Sequence, residues 1–274
     1  MYEKGKKNLW WEGFSQQEVV AHAKKCDIAL LPVGSIEQHG GHLPTGEDSW
    51  HAIRISERVA EKTGVMLLPC PWYGTHPYMQ WYFPGTIPLR HETFVNLLID
   101  IVHGSSYAGF NKFIIFNCHG QTWPILQAVN ELALEGYFLI GVTLWDIIRE
   151  TIHKVLEGKV FGHADESETS LGLYLIPEYV HMEKAHRDEV PETLIDRKWF
   201  YPFGSLLPKN RIDPFSLTAH RPYFKSLKYG VHGHPTKGTA EKGEKMVNAA
   251  VKWLVEIIEE IKRRYPPGVK PAVK

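Results

Sequence analysis

The sequence has no excess charge of either sign. Its 31 basic and 31 acidic residues cancel. No basic stripe stands out, which argues against a nucleic-acid partner, because phosphate backbones are bound by clustered Lys and Arg. Cysteine is scarce, and Cys26, Cys70 and Cys118 have no paired spacing. That excludes a disulfide framework and fits a reducing compartment. No apolar run approaches the roughly 20 residues that span a bilayer. The charged segment from Met1 to Trp11 lacks the apolar centre of a secretory signal. A cytoplasmic protein without membrane contact is expected. What the chain does have is length: 274 residues, with 15 His and 9 Trp, enough for one α/β domain with a substantial core.

Apolar runs alternate with helical patterns. Ser15-Gln16-Gln17-Glu18 has the form of a capping box and opens a helix through about Lys25. Ile28 to Val33 and Lys112 to Asn117 are short continuous apolar runs, as expected of buried parallel strands. Val65 to Leu68 and Tyr137 to Thr143 read as further strands. Helices are expected over about 49–62, 91–108, 123–135, 166–175 and 239–264. The alternation predicts an α/β fold with a layered sheet and helices on both faces. Such sheets place their sites at the carboxyl ends of the strands. Loops after the first three strands, carrying Glu37 and His39, Trp72 to Phe83, and His119, would share that rim. The Pro-, Lys- and aromatic-rich stretch at about 184–229 interrupts the alternation and reads as a lid or a subunit contact. Residues 266–274 read as a mobile tail.

After the first strand come Glu37 and His39, two residues apart, and then Asp48. In extended backbone, side chains at i and i+2 share a face. Two carboxylates and an imidazole suit zinc, manganese or iron; the plainer alternative is a polar surface loop.

Five ordered segments resemble the creatininase family: Gly34-Ser35-Ile36-Glu37-Gln38-His39-Gly40 with Asp48 downstream; Phe83-Pro84-Gly85-Thr86-Ile87; Asn117-Cys118-His119-Gly120; His163-Ala164-Asp165-Glu166-Ser167-Glu168-Thr169-Ser170; and Gly230-Val231-His232-Gly233-His234-Pro235 with Thr239 to Gly243. The resemblance spans about Leu31 to Gly243. It implies a three-layer creatininase-like fold with a largely parallel sheet, a single hydrolase domain over 1–265, and a homo-oligomer, hexamers being common in the family. It also implies that Glu37, His39, Asp48 and His119 hold two divalent metal ions, Asp48 bridging them. Creatininase itself has Tyr-Glu after the strand histidine, whereas this chain has Gly120 and Gln121. Many relatives also lack that glutamate and carry a Glu-x-Glu-Thr-Ser segment instead, and that resemblance implies Glu168 as the fifth ligand, with Glu166 as the alternative. A helix N-terminal carboxylate favoured by the helix dipole is the structural reading of Glu168.

The resemblance makes His163 a catalytic candidate near the substrate, and Glu166 is carried beside it. His76, Tyr78, Gln80, Trp81, Gln121 and Trp123 are candidate substrate-binding residues, while His42, His232 and His234 are read as supporting or pocket-wall groups. The expected activity is hydrolytic opening of a small, polar, cyclic substrate by water activated between two metal ions. Within the family the chain looks most like the relatives that cleave a C–C bond in an oxidised cyclitol, 3-dehydro-scyllo-inosose, in inositol catabolism. A cyclic amide, formamide or peptide-like C–N bond is the alternative target, and a non-catalytic metal-binding scaffold the second.

Overall fold

The computed structural model describes residues 9–76, 80–81, 83–158, 161–188 and 228–271. In chain order the elements are α1 (Gln16–Ala23), β1 (Ile28–Val33), α2 (Glu47–Thr63), β2 (Met66–Leu67), α3 (His91–Ser106), β3 (Lys112–Asn117), α4 (Thr122–Leu134), β4 (Phe138–Thr143), α5 (Leu144–Ile147), α6 (Arg149–Val155), α7 (Glu166–Leu175) and α8 (Ala240–Arg264). The four strands are parallel and lie in the order β2-β1-β3-β4. β1 and β3 are wholly buried because both sheet faces are covered, which is why each reads as a continuous apolar run.

Alternate residues feed two cores. Ile28, Leu30, Ile114, Phe116 and Val142 pack under α2, α7 and α8. Ala29, Leu31, Val33, Phe113 and Ile115 face α1, α3 and α4. The result is a three-layer helix–sheet–helix arrangement, as the alternation predicted. At the lower end of the sheet, the buried Lys112 ammonium bonds both carboxylate oxygens of Asp27 at 2.7 Å. Gly268 N–H donates to Asp27 Oδ2 at 2.8 Å, so the first residues of the expected tail are tied to the sheet. A buried carboxylate has more than one lone pair to satisfy, and the chain end supplies a donor.

Three helices differ from expectation. Helix α2 begins at Glu47 with Gly46 as N-cap, rather than at Ser49, and Glu47 N–H donates back to Pro44 O. Ser49 looks like an N-cap by residue type, but its hydroxyl turns inward to the Ser35 carbonyl. Helices α5 and α6 fill the span after β4, which the apolar pattern left unassigned. The stretch read as a lid falls mainly at 189–227, outside the described residues.

The α8 helix reaches α7 through Gly243: a Cβ there would stand 2.0 Å from the Ser170 carbonyl oxygen. No rotamer relieves a clash with backbone. Gly243→Ala is therefore expected to force the two helices apart and destabilise the protein by about 1–3 kcal/mol, read as a lowered urea midpoint. An unchanged midpoint would show that the two helices tolerate separation.

Candidate metal centre

The chain order of the strands reverses direction between β1 and β3, and α/β sheets bind ligands in the crevice at such a point. Val33 and Asn117 end the two strands side by side. The loop after β1 carries Glu37 and His39, and the turn after β3 carries His119. Helix α2 brings Asp48 in its first turn, and α7 brings Glu168 in its first turn. All five residues are at most 5 % exposed. Gln121 braces the crevice: its amide nitrogen donates to Gly34 O at 2.8 Å and to Asn117 Oδ1 at 3.2 Å, and its oxygen accepts from Thr75 N–H at 3.0 Å.

Hydrogen bonds fix which ring nitrogens face the crevice. His39 Nδ1 lies 3.0 Å from the Glu37 carbonyl and His119 Nε2 lies 3.0 Å from the Thr75 carbonyl. A carbonyl only accepts, so both of these nitrogens donate, and the opposite ones, His39 Nε2 and His119 Nδ1, face the crevice. His39 Nε2 then stands 3.6 Å from Asp48 Oδ1 and 3.7 Å from Glu168 Oε2. His119 Nδ1 stands 2.8 Å from Asp48 Oδ2 and 3.1 Å from Glu37 Oε2. The two oxygens of Asp48 thus look toward different histidines, and Ser35 Oγ holds one of them at 2.7 Å.

Ligand atoms gather within 4.8 Å of one another in three sets: His39, Asp48 and Glu168; Glu37, His76 and His119; and Glu37, His39 and His163. A histidine whose second nitrogen is held by a backbone carbonyl is the usual arrangement of a metal-bound imidazole. His39 Nε2 and Asp48 Oδ1 are buried and have no hydrogen-bond partner among the described residues. Orphaned atoms of this kind, in an oxygen- and nitrogen-donor set, fit a pair of divalent cations.

The electrostatics describe a pocket that demands positive charge. Burial would push the His119 imidazolium down, yet Glu37 and Asp48 raise it to about 10. His39 is raised well above the usual range, against burial, by Asp48, Glu47 and Glu168. Burial works upward on Glu37, but His163, His119 and His39 draw its carboxyl down to about 2. Asp48 is held low by His119 and His39 despite its burial. Glu47 and Glu168 are driven well up, by burial first and then by neighbouring carboxylates, with His39 opposing.

The other sequence candidates divide. His163 Nε2 lies 2.6 Å from the Gln38 carbonyl and so donates to it, leaving Nδ1 bare at 3.8 Å from Glu37 Oε2. Burial lowers this imidazole to about 4, although Glu37 opposes. The ring sits 4.4 Å from His39. The main chain next to it is bent: Ala164 has φ of 51°, a left-handed conformation that a residue with a Cβ seldom adopts. The bend turns Ala164 N–H onto Glu168 Oε2.

Glu166 does not join the cluster. Its oxygens accept from Glu157 N–H at 2.9 Å and Gly158 N–H at 2.7 Å, and Lys242 pairs with it at 2.7 Å. A carboxylate so saturated is a loop clamp, and neither its catalytic role nor its alternative ligand role is served by this placement. Gln121 has likewise committed its amide to backbone and Asn117. Trp123 is 82 % exposed on the outside of α4, and Trp81 is 44 % exposed with its indole N–H on the His76 carbonyl. His76 is buried beside His119, with neither ring nitrogen hydrogen-bonded among the described residues. Gln80 accepts from Gln38 Nε2 at 2.9 Å. Tyr78 lies outside the described residues. His42 Nε2 meets Thr169 Oγ1 at 3.0 Å and supports the loop. His232 is buried, with its backbone N–H on the His163 carbonyl, and His234 faces Arg187.

Three residues of the crevice escaped the sequence reading. Gln38 orients His163 through its carbonyl. Glu47 is wholly buried beside His39, and His51, one turn along α2, faces Glu47. The i, i+4 spacing of Glu47 and His51 was the available signal.

Known proteins give the same architecture. A family model described as creatinine amidohydrolase matches residues 12–258. The 3-dehydro-scyllo-inosose hydrolase of Thermotoga maritima is 33 % identical over an alignment covering 96 % of this chain and 86 % of that protein. The creatinine amidohydrolase of Pseudomonas putida is 24 % identical, covering 88 % and 90 %. A creatininase structure with manganese superposes with a TM-score of 0.72 at 23 % identity, covering 95 % of this chain and all of that one. A Zn–Zn form of a creatininase mutant gives 0.72 at 24 % identity over 96 % of this chain and all of that one. The chain is a hydrolase belonging to the creatininase family, with a site built for divalent metal.

Proposed function

We propose that this chain opens the ring of 3-dehydro-scyllo-inosose by hydrolysing a carbon–carbon bond. The observation that carries the reading is the 33 % identity, along nearly the whole chain, to an enzyme of that name, against 24 % to a creatinine amidohydrolase. The side chains support it. The glutamine at position 121 stands where creatininase carries a glutamate ligand and is spent on bracing loops.

In this reading Glu37, His119 and Asp48 would hold one divalent ion, and His39, Asp48 and Glu168 the other. Such ions would supply Lewis acidity, making water acidic near neutral pH and polarising a carbonyl. The protein's own groups do the rest. His163, neutral because burial holds it low, offers Nδ1 as proton acceptor toward the crevice. The hydroxyl of water ends on the carbonyl carbon, giving a carboxylic acid. The electron pair of the broken bond goes to the adjacent ring carbon, where the second carbonyl delocalises it as an enolate. His163 Nδ1 returns the proton to that carbon. Gln38 keeps the ring in this tautomer, and its own amide is held by Gln80. A small polar substrate, a homo-oligomeric assembly and a cytoplasmic setting in inositol breakdown go with this proposal.

Three outcomes are expected. Proton NMR of the metal-loaded protein should show conversion of 3-dehydro-scyllo-inosose to an open-chain keto acid, abolished by chelator, while creatinine and a formamide stay intact; turnover of an amide alone would return the chain to C–N chemistry. Asp48→Asn should lose both ions and turnover together, measured by metal analysis, and full activity in that variant would sink the dinuclear reading. The third concerns protons. His119 keeps its proton up to about pH 10 while Glu37 and Asp48 face it alone, so an incoming cation must displace that proton. Metal affinity should therefore rise between pH 6 and 9, with acid released on loading at pH 7. An indicator dye that registers no release would contradict the assignment of His119.

A further inference from the structure

Glu47 is 0 % exposed, and neither carboxylate oxygen has a hydrogen-bond partner among the described residues. That is a costly state for a carboxyl group unless something positive meets it. It is not an isolated acid turned into an apolar core. Glu47 Oε2 stands 3.5 Å from the crevice-facing Nε2 of His39, the atom that also faces Asp48 Oδ1 at 3.6 Å and Glu168 Oε2 at 3.7 Å. Four donors held about 2.1 Å from one small cation stand about 3.4 Å apart in a tetrahedron. Each of the three distances from His39 Nε2 is close to that spacing, and Glu47 stands beside, not within, the His39, Asp48 and Glu168 set whose atoms all lie within 4.8 Å of one another.

On the other side, Glu47 Oε1 lies 3.0 Å from His51 Nε2, at an angle poor for a hydrogen bond. His51 is itself wholly buried and stands close enough to Glu47 to orient it. Glu47 and His51 are four residues apart on the inward face of α2, and their rotation relative to His39 is set by the helix.

We propose that Glu47 is a further ligand of the ion held by His39, Asp48 and Glu168, with His51 as its positioning residue. The inference rests on the two-ion reading of the site. It makes one ion position richer in carboxylate than the other: Glu47, Asp48 and Glu168 against Glu37 and Asp48. Carboxylate-rich sets favour the harder cations, manganese above zinc among the candidates. The two positions would therefore differ in affinity and preference.

The test is equilibrium dialysis of the full chain against Mn2+, with the visible absorption of the Co2+-loaded protein as a second readout. The parent should hold two ions; a parent that holds none overturns the two-ion reading itself. Glu47→Gln should weaken one ion by about 100-fold, leave the other within about threefold, and shift the Co2+ bands. His51→Asn should weaken the same ion about tenfold, as loss of an orienting partner does. Thermal unfolding separates a ligand from a structural residue. In chelator, Glu47→Gln should melt no lower than the parent, since the change removes a buried acid, and added Mn2+ should raise its midpoint less. Should the variant be unstable in chelator, Glu47→Asp, which keeps the charge one methylene shorter, should still bind one ion weakly. Two ions of parental affinity with unchanged Co2+ bands, in either Glu47 variant, would overturn the proposal and leave the two-ion reading intact.

Discussion

Four carboxylates, those of Glu37, Glu47, Asp48 and Glu168, share a crevice in which each is at most 5 % exposed. Their mutual repulsion and their burial are the constraint around which the upper half of the molecule is arranged. Helix N-termini offset some of it: Glu47 and Asp48 lie in the first turn of α2, and Glu166 and Glu168 in the first turn of α7. Each such placement contributes about 0.3–1 kcal/mol. Burying an ionised group costs several kcal/mol. The dipoles therefore orient the acids but do not make them stable as anions; two divalent cations can.

Seen from this constraint, the exchange around position 121 has a physical sense. An amide does not add to the negative charge, and its two ends tie the loops after β1, β2 and β3 to one another. What that position lacks in charge, α7 supplies through Glu168. The histidines are then locked by backbone carbonyls, so the pocket is organised before any ion arrives.

Much of this was legible in the sequence. β1 and β3 read correctly because burial on both faces writes an unbroken apolar run, and the motif residues Glu37, His39, Asp48, His119 and Glu168 do converge. The capping box at Ser15 and Glu18 is present as read. Other features were hidden for identifiable reasons. Gly46-Glu47-Asp48 looks like a solvated turn, and nothing local says that the helix starts early enough to carry Glu47 inward. Glu166 and Glu168 are alike by composition; the helix turn sends one to the loop at 157–158 and the other to His39. Trp123 has the residue type of a pocket wall, yet its place on α4 turns it to solvent. Side-chain direction depends on helix phase and on partners distant in sequence, and neither is written in a motif.

The contact between Gly243 and Ser170 bears on the order in which the molecule is assembled. Residues 37, 48 and 119 leave the ribosome well before residue 168, and α7, which also packs on α2, gains its most extensive packing partner when α8 follows, Gly243 coming more than seventy residues after Ser170. A half-made chain therefore owns loose acids and imidazoles but no formed pocket. Secure capture of metal becomes a late event, coupled to docking of the final helix. An ion taken up too early, on flexible ligands, would be exchanged rather than trapped.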